Sequence, residues 1–406
     1  MLYQAYQAYC DIQAPARFAA RMATSFRDNA LDGAAKLPMA RRMFALAETF
    51  QASEITHKRP PFAIDEVLAG NRMVPVHEEV AVSLPFGDML HFVKADVSVP
   101  QPRILVVAPL SGHFATLLRN TVETLLHDHD VYITDWRNAR DVPLSAGRFG
   151  LDEYIDYIIH FLQELGPGSH VLAVCQPCVP VLAAVALMAQ DHDPCQPRSM
   201  SLLGGPIDTR ESPTVVNKLA TEQELSWFED NLIQTVPWRY QGGGRRVYPG
   251  FIQLSAFMSM NLGRHLGQFR QLYQHIADLE TEKVAKIEEF YEEYLAVLDL
   301  TEEFYIDTID KVFQRALLAT GEFEHRGRKV DCGTIRHTAL LTVEGERDDI
   351  CAVGQTAAAH FLCSSLRPHL KRHHLQPGAG HYGIFSGSRW ERQVYPQVRN
   401  MVLAMS

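Results

Sequence analysis

Apolar positions change their spacing several times along the chain, and each change marks an element. Through the first sixty residues the spacing is helical. Leu37, Met43, Phe44, Ala47 and Phe50 approximate one helix face, and KRPPF at 58–62 stops it, because proline cannot continue a helical ladder. Three runs then read as strands, at 76–83, 89–96 and 103–109. The last is apolar on both faces, as a strand inside a parallel sheet must be. Beyond it helices are expected at 116–127, 151–165 and 179–190, alternating with strands at 131–134, 170–174 and 200–203. Alternation stops after GGPID at 204–208. A long aromatic stretch of helical periodicity follows, and strands return at 338–346 and 371–376, with a helix near 355–363 between them. The pattern predicts an α/β protein, a mostly parallel sheet flanked by helices and interrupted late by a helical insertion. The expected organisation is an N-terminal helical arm at 1–65, a first core part at 66–209, a helical cap at 210–335 and a second core part at 336–406. The arm reads as packing structure, with a dimer or surface contact as the alternative.

Composition narrows the functional classes. An apolar fraction of 47% and a charged fraction of 21% are those of a globular protein. The formal net charge of −10 argues against a nucleic-acid partner, and the one locally basic stretch, GGGRR at 242–246, reads as a solvated loop. The first twenty residues lack the basic start and apolar block of a secretory signal, so a cytoplasmic location is expected. Residues 171–189 run without a charge, close to the length of a membrane span. Gln176, Pro177 and Pro180 favour instead a buried strand, a sharp turn and a buried helix, so no transmembrane segment is expected. Seven cysteines at irregular spacing make a poor disulfide framework.

The turn within that uncharged run carries the candidate chemistry. HVLAVCQPCVPVLAAVALMA at 170–189 places a cysteine where a buried strand turns directly into a helix, the location of a nucleophile elbow. Two cysteines compete. Cys178 as nucleophile would run the strand through Pro177, which has no N–H for the ladder. Cys175 leaves the strand clean, has the small Ala173 two positions before it, and puts Pro177 in the first helical turn, with Cys178 about one turn into the helix. Cys175 is therefore the candidate, although Pro177 stands where the usual G-x-S-x-G motif has glycine. A helix N-terminus and a neighbouring imidazolium would both favour its thiolate.

The rest of a triad follows in order. Asp348 lies in TVEGERDDI just past a late strand, with Asp349 as a second choice, and His381 lies in GAGHYG after the last strand. Otherwise the carboxylate run Glu344, Glu346, Asp348, Asp349 reads as a solvated loop. Nucleophile, acid and histidine in that order are the chain order of the α/β-hydrolase fold. An oxyanion hole would combine the backbone N–H of Gln176 with one from APLSGH at 108–113, of which Leu110 is chosen. Ser111 and His113 either touch substrate or shape that turn. Two rivals are weaker. Cys175 and Cys178 form a C-x-x-C, but several α/β units precede it, unlike a thioredoxin-type site, and no second pair of ligands accompanies it as in a zinc site. No nucleotide cofactor is implied, since neither a Walker loop nor a G-x-G-x-x-G follows a strand. No metal ligand set is expected.

At these motifs the chain resembles the intracellular polyhydroxybutyrate depolymerases. The likeness runs through MLYQ (1–4), VVAPLSGH (106–113), VYITDW (131–136), VCQPCVPVLAA (174–184), GGPIDTR (204–210), RRVYPGF (245–251), TVEGERDDI, GQTAAAH (354–360) and GHYGIFSG (380–387). The resemblance implies an α/β-hydrolase with Cys175, Asp348 and His381 as its triad. It also implies a cytosolic storage granule as partner and a polymer of 3-hydroxybutyrate as substrate. Two alternatives remain at this point: a polyester synthase-like acyltransferase using a coenzyme A thioester, and a non-catalytic granule-binding protein. Oligomeric state is left open, a homo-oligomer included.

Overall fold

The computed structural model describes residues 2–29, 38–95, 100–260 and 262–406. Leu37, named above on a helix face, and residue 96, the end of the strand expected at 89–96, lie outside the described residues. Two helices, α1 (Leu2–Asn29) and α2 (Pro38–Ala52), precede a hairpin meander of β1 (Glu66–Ala69), β2 (Arg72–Leu84) and β3 (Gly87–Lys94). From β4 (Arg103–Val107) the chain alternates through α3 (Arg119–Leu126), β5 (Asp130–Trp136), α4 (Leu151–Leu165), β6 (His170–Val174), α5 (Cys178–Gln190) and β7 (Ser199–Leu203).

After β7 come α6 (Val215–Glu222), α7 (Leu225–Leu232), α8 (Gly250–Met260), α9 (Leu262–Ala277), α10 (Thr281–Tyr294) and α11 (Glu302–Asp307). Woven among them, β8 (Gln234–Thr235), β9 (Arg246–Tyr248) and β10 (Leu300–Thr301) make a small antiparallel sheet, and β11 (Glu324–His325) pairs with β12 (Arg328–Lys329). The chain then returns through β13 (Ala339–Gly345) and β14 (Lys371–Gln376). The main sheet has nine strands in the order β1-β2-β3-β5-β4-β6-β7-β13-β14, parallel from β5 to β14. This is the α/β-hydrolase fold.

Burial follows from that order. β6, β7 and β13 are buried at every position, and α5, apolar on all sides, is buried from Cys178 to Ala189. Apart from Cys175 and Gln176 at the turn, the uncharged run 171–189 is thus spent inside the core, and no helix among the described residues is long and apolar enough to cross a membrane. β4 has β5 on one side and β6 on the other, so successive connections diverge between β4 and β6. In such sheets the crevice at the carboxyl ends of the diverging strands receives ligands. The loop holding Leu110 leaves β4 there, and Cys175 leaves β6 there.

The N-terminal arm is tied to the inserted helices. The Tyr3 hydroxyl donates to Asp299 Oδ2 at 2.6 Å, Tyr6 pairs with His57 Nε2 at 3.1 Å, and the Tyr6 ring stacks on Phe251 with centroids 3.9 Å apart. Asp299 is fully buried, and burial, partly offset by Tyr3, raises its pKa to about 6.

Several local expectations need correction. β1 and the first residues of β2 carry no clear alternation and were not expected as strands. The strands β8 to β10 are too short to show any period. The helix expected at 355–363 is reduced to Ala359–Leu362, preceded by turns. The N–H groups of Gly354, Thr356 and Ala357 donate to the Glu344 carboxylate at 2.8–3.0 Å, so they are not available to a helical ladder. Glu344 itself, expected on a solvated loop, is a buried residue of β13.

Candidate active site

Cys175 sits in the turn between β6 and α5 with φ of 67°, a left-handed conformation that costs a side-chain-bearing residue free energy. Surrounding bonds hold it there. Cys175 N–H donates to Leu203 O at 2.7 Å, and its own carbonyl accepts from Cys178 N–H at 3.1 Å. The close packing needs glycine on the neighbouring strand end. A Cβ on Gly205 would lie 2.1 Å from Cys178 Cβ and 3.0 Å from Cys175 O. Pro177 has φ of −69°, the angle its ring imposes, so the turn needs no glycine at that position. Pro177 is the N-cap, and the helix begins at Cys178 rather than one turn earlier.

The two cysteines differ in every respect that bears on reactivity. Cys175 is partly exposed, whereas Cys178 is fully buried with its thiol against Ala173 O and Leu203 O, at 3.5 and 3.7 Å. Burial pushes the Cys178 thiol well above its ordinary pKa. An uncharged, enclosed sulfur is a poor nucleophile.

Asp348 and His381 come together from the loops after β13 and β14. His381 Nδ1 lies 2.7 Å from Asp348 Oδ2. The other carboxylate oxygen, Oδ1, accepts from the N–H groups of Ile350 and Cys351, both at 2.9 Å. Both side chains are buried. The two loops touch through Arg347 N–H, which donates to Ala379 O at 2.8 Å, and Gly345 allows that approach, since a Cβ there would meet Ala379 O at 2.7 Å. Burial disfavours the imidazolium of His381, but the Cys175 and Asp348 charges outweigh it and raise the pKa well above the ordinary imidazole value. With Nδ1 engaged by Asp348, Nε2 is the nitrogen left for Cys175. Asp349, the second choice for the acid, is exposed.

The loop after β4 is held from several sides. Ala108 N–H donates to Thr134 Oγ1 at 2.9 Å, and Ala108 O accepts from Trp136 Nε1 and the Tyr154 hydroxyl, at 2.8 and 3.1 Å. Ser111 O accepts from Gln253 Nε2, and Gly112 O accepts from Leu298 N–H at 2.9 Å. His113 is buried and bonds to Tyr294 O at 3.1 Å, so Ser111 and His113 fasten the turn to the inserted helices. Leu110 N–H points to the elbow, where it donates to Gln176 Oε1 at 3.3 Å. Beside His381 opens a cavity of about 630 Å³ whose walls include Phe257, Phe290, Tyr291, Tyr294 and Tyr382.

Sequence reasoning passed over two residues that build the site. Gly205 was read only as the end of an alternating segment, and no local signal tells that its Cα faces Cys178. Glu344 had a signal: a carboxylate between Val343 and Gly345 in an otherwise apolar strand has to be buried and bonded.

Compared with known proteins, the chain matches the family model described as PHB de-polymerase C-terminus over residues 204–406, half of its length. That span contains Asp348 and His381 and stops short of Cys175. No curated protein matches the sequence. Among solved structures, the chain is similar to the monoacylglycerol lipase of Paleococcus ferrophilus at 11% identity and a TM-score of 0.43, covering 82% of this chain and 99% of that one. It is similar also to the 2-hydroxy-6-oxo-6-phenylhexa-2,4-dienoate hydrolase of Rhodococcus, at 12% identity and a TM-score of 0.42, covering 81% and 99%.

Proposed function

Since the chain belongs to the PHB depolymerase family, and is with that an ester hydrolase, we propose that it cleaves the ester bonds of poly(3-hydroxybutyrate) in cytoplasmic storage granules, using Cys175, His381 and Asp348. The observation that carries this reading is the left-handed Cys175 at the end of β6, beside a buried histidine whose Nδ1 is engaged by a carboxylate.

His381 Nε2 takes the thiol proton, or pairs with the thiolate as imidazolium, and the sulfur attacks the ester carbonyl. The oxygen of the tetrahedral intermediate is received by the N–H groups of Gln176 and Leu110. Leu110 N–H is engaged by the Gln176 side chain at 3.3 Å, so that side chain has to give way to the substrate oxygen. Collapse of the intermediate breaks the C–O bond, and His381 gives its proton to the departing alcohol, leaving a thioester on Cys175. Water, deprotonated by His381, then releases the 3-hydroxybutyryl product as an acid. Asp348 keeps the ring in the required tautomer and stabilises its charged form.

The test is incubation of Cys175→Ala and Cys178→Ala variants with amorphous granules, with and without coenzyme A. Losing an essential nucleophile costs about 10⁶ in rate. Soluble 3-hydroxybutyrate or its oligomers should appear with the parent protein and with Cys178→Ala, and not with Cys175→Ala. Acid quenching should trap the acyl group on Cys175. Products that form only as coenzyme A thioesters would identify an acyltransferase, and equal loss in both folded variants would identify a dithiol site.

A further inference from the structure

The cavity beside His381 is chemically uneven. Its aromatic walls suit a polymer of methyl-bearing esters. Three cations also line it, Arg264 from α9, Lys286 from α10 and Arg347 from the loop after β13, against the single carboxylate of Asp349 among its lining residues. None of the three forms an ion pair with a carboxylate among the described residues. Burial raises the phenol pKa values of Tyr291 and Tyr294, and the Arg264 charge opposes both rises, which places its field in the cavity. A chain carrying a net charge of −10 thus turns a locally positive face toward its candidate catalytic histidine.

The interior of a polyester offers nothing to these cations, because its repeating unit is neutral. Each polymer molecule has one anionic group, the carboxylate at its end. The direction of the chain in the site is also fixed by the chemistry. His381 protonates the leaving alcohol, and the alcohol fragment is the part of the polymer that runs on to the carboxylate end. His381 lines this cavity, which is the side on which a departing alcohol would receive its proton.

We infer that this cavity binds the carboxylate-terminal segment of a 3-hydroxyacyl chain, with Arg264, Lys286 and Arg347 complementing the terminal charge, so that cleavage is directed to esters near that end. The inference rests on the ester-hydrolase reading above and adds end-group recognition to it. In each turnover the bond between the thioester-forming carbonyl carbon and the alkoxide oxygen breaks. A short hydroxyacid leaves with its carboxylate, and the rest of the chain stays on Cys175 until water releases it with a new carboxylate end.

The test compares a soluble 3-hydroxybutyrate trimer bearing a free carboxylate with its methyl ester. The free acid should be cleaved with a kcat/KM higher by roughly tenfold, the size of one partly exposed charge-assisted contact, chiefly through a lower KM. Arg264→Gln combined with Lys286→Gln should bring that ratio toward unity, and so should raised salt. A merely structural role for these side chains would lower both rates and leave the ratio alone. Equal cleavage of acid and ester by the parent protein, or a ratio unchanged in the double variant, overturns the end-group inference while leaving the hydrolase reading intact. Cleavage of neither trimer, with amorphous granules also untouched, overturns both.

Discussion

At the scale of single residues, the carboxylate of Asp348 has its two oxygens assigned to different tasks. Oδ1 is held by two backbone N–H donors, and Oδ2 faces His381 Nδ1. An asparagine at this position would keep its carbonyl oxygen on the two backbone donors and turn its NH₂ toward the ring. His381 would then have to accept at Nδ1 and carry its proton on Nε2, the tautomer that cannot take a proton from Cys175. Asp348→Asn is therefore expected to lower kcat near neutral pH by about 10⁴. Part of the loss should be recovered as pH rises toward about 8.5, where a free thiol ionises without a base. The parent protein should behave oppositely on the alkaline side. The raised pKa of His381 keeps the imidazolium populated until pH passes its folded-state value, while the stability it contributes is full below about 6.5 and is lost as pH rises from there through that value. Profiles of kcat against pH on a soluble activated ester test this, and superimposable profiles for the two proteins would remove Asp348 from its proposed role.

At the scale of elements, the site depends on β13 as much as on the elbow. Glu344 accepts the N–H groups of Gly354, Thr356 and Ala357, and the Thr356 hydroxyl bonds in turn to both N–H and C=O of Gly205, each at 2.9 Å. Gly205 packs on Cys178 and the Cys175 carbonyl, so one buried carboxylate supports the turn that carries the candidate nucleophile. Glu344→Gln would set an NH₂ against an N–H donor and remove the charge. A loss of about 2 kcal/mol in unfolding free energy is expected, the size of a charge-assisted bond lost with a donor left unpaired. Equilibrium denaturation of the two proteins measures it, and an unchanged midpoint would mean that the carboxylate is replaceable. This network also marks the limit of what the sequence shows, since the pattern around Glu344 calls for burial and bonding but does not name its partners. The strands β4, β6, β7 and β13 and the order Cys175, Asp348, His381 were legible because apolar periodicity and chain order are local or one-dimensional properties. The short helix at 359–362, the role of Glu344 and the packing of Gly205 were not, because each depends on a bond or contact between segments that only the fold brings together.

At the scale of the whole molecule, the position of the site decides which physical form of a polyester is open to attack. Cys175 follows the central strand β6 and His381 the edge strand β14, both at the carboxyl ends of the parallel strands, and α9 and α10 stand over the cavity beside His381. The arm α1 and α2 packs outside these helices, with Ala45 buried against Leu272 and Ile276 of α9. His381 is only 6% exposed, so an ester must enter the cleft rather than meet the enzyme at a flat surface. A segment of an amorphous polymer is mobile and can be drawn in at little more than the entropy of ordering a few units. A segment of a crystalline polymer must first leave its close-packed neighbours, forfeiting dispersion contacts along its whole length before any contact with Tyr294 or Phe290 replaces them. Amorphous granules should accordingly be hydrolysed at least about tenfold faster than crystalline film, which corresponds to an extraction cost of about 1.4 kcal/mol or more. Both forms should be compared at equal exposed area, by titration of the acid released. Equal rates would mean that attack occurs on chains still held in their lattice, which a buried His381 does not permit.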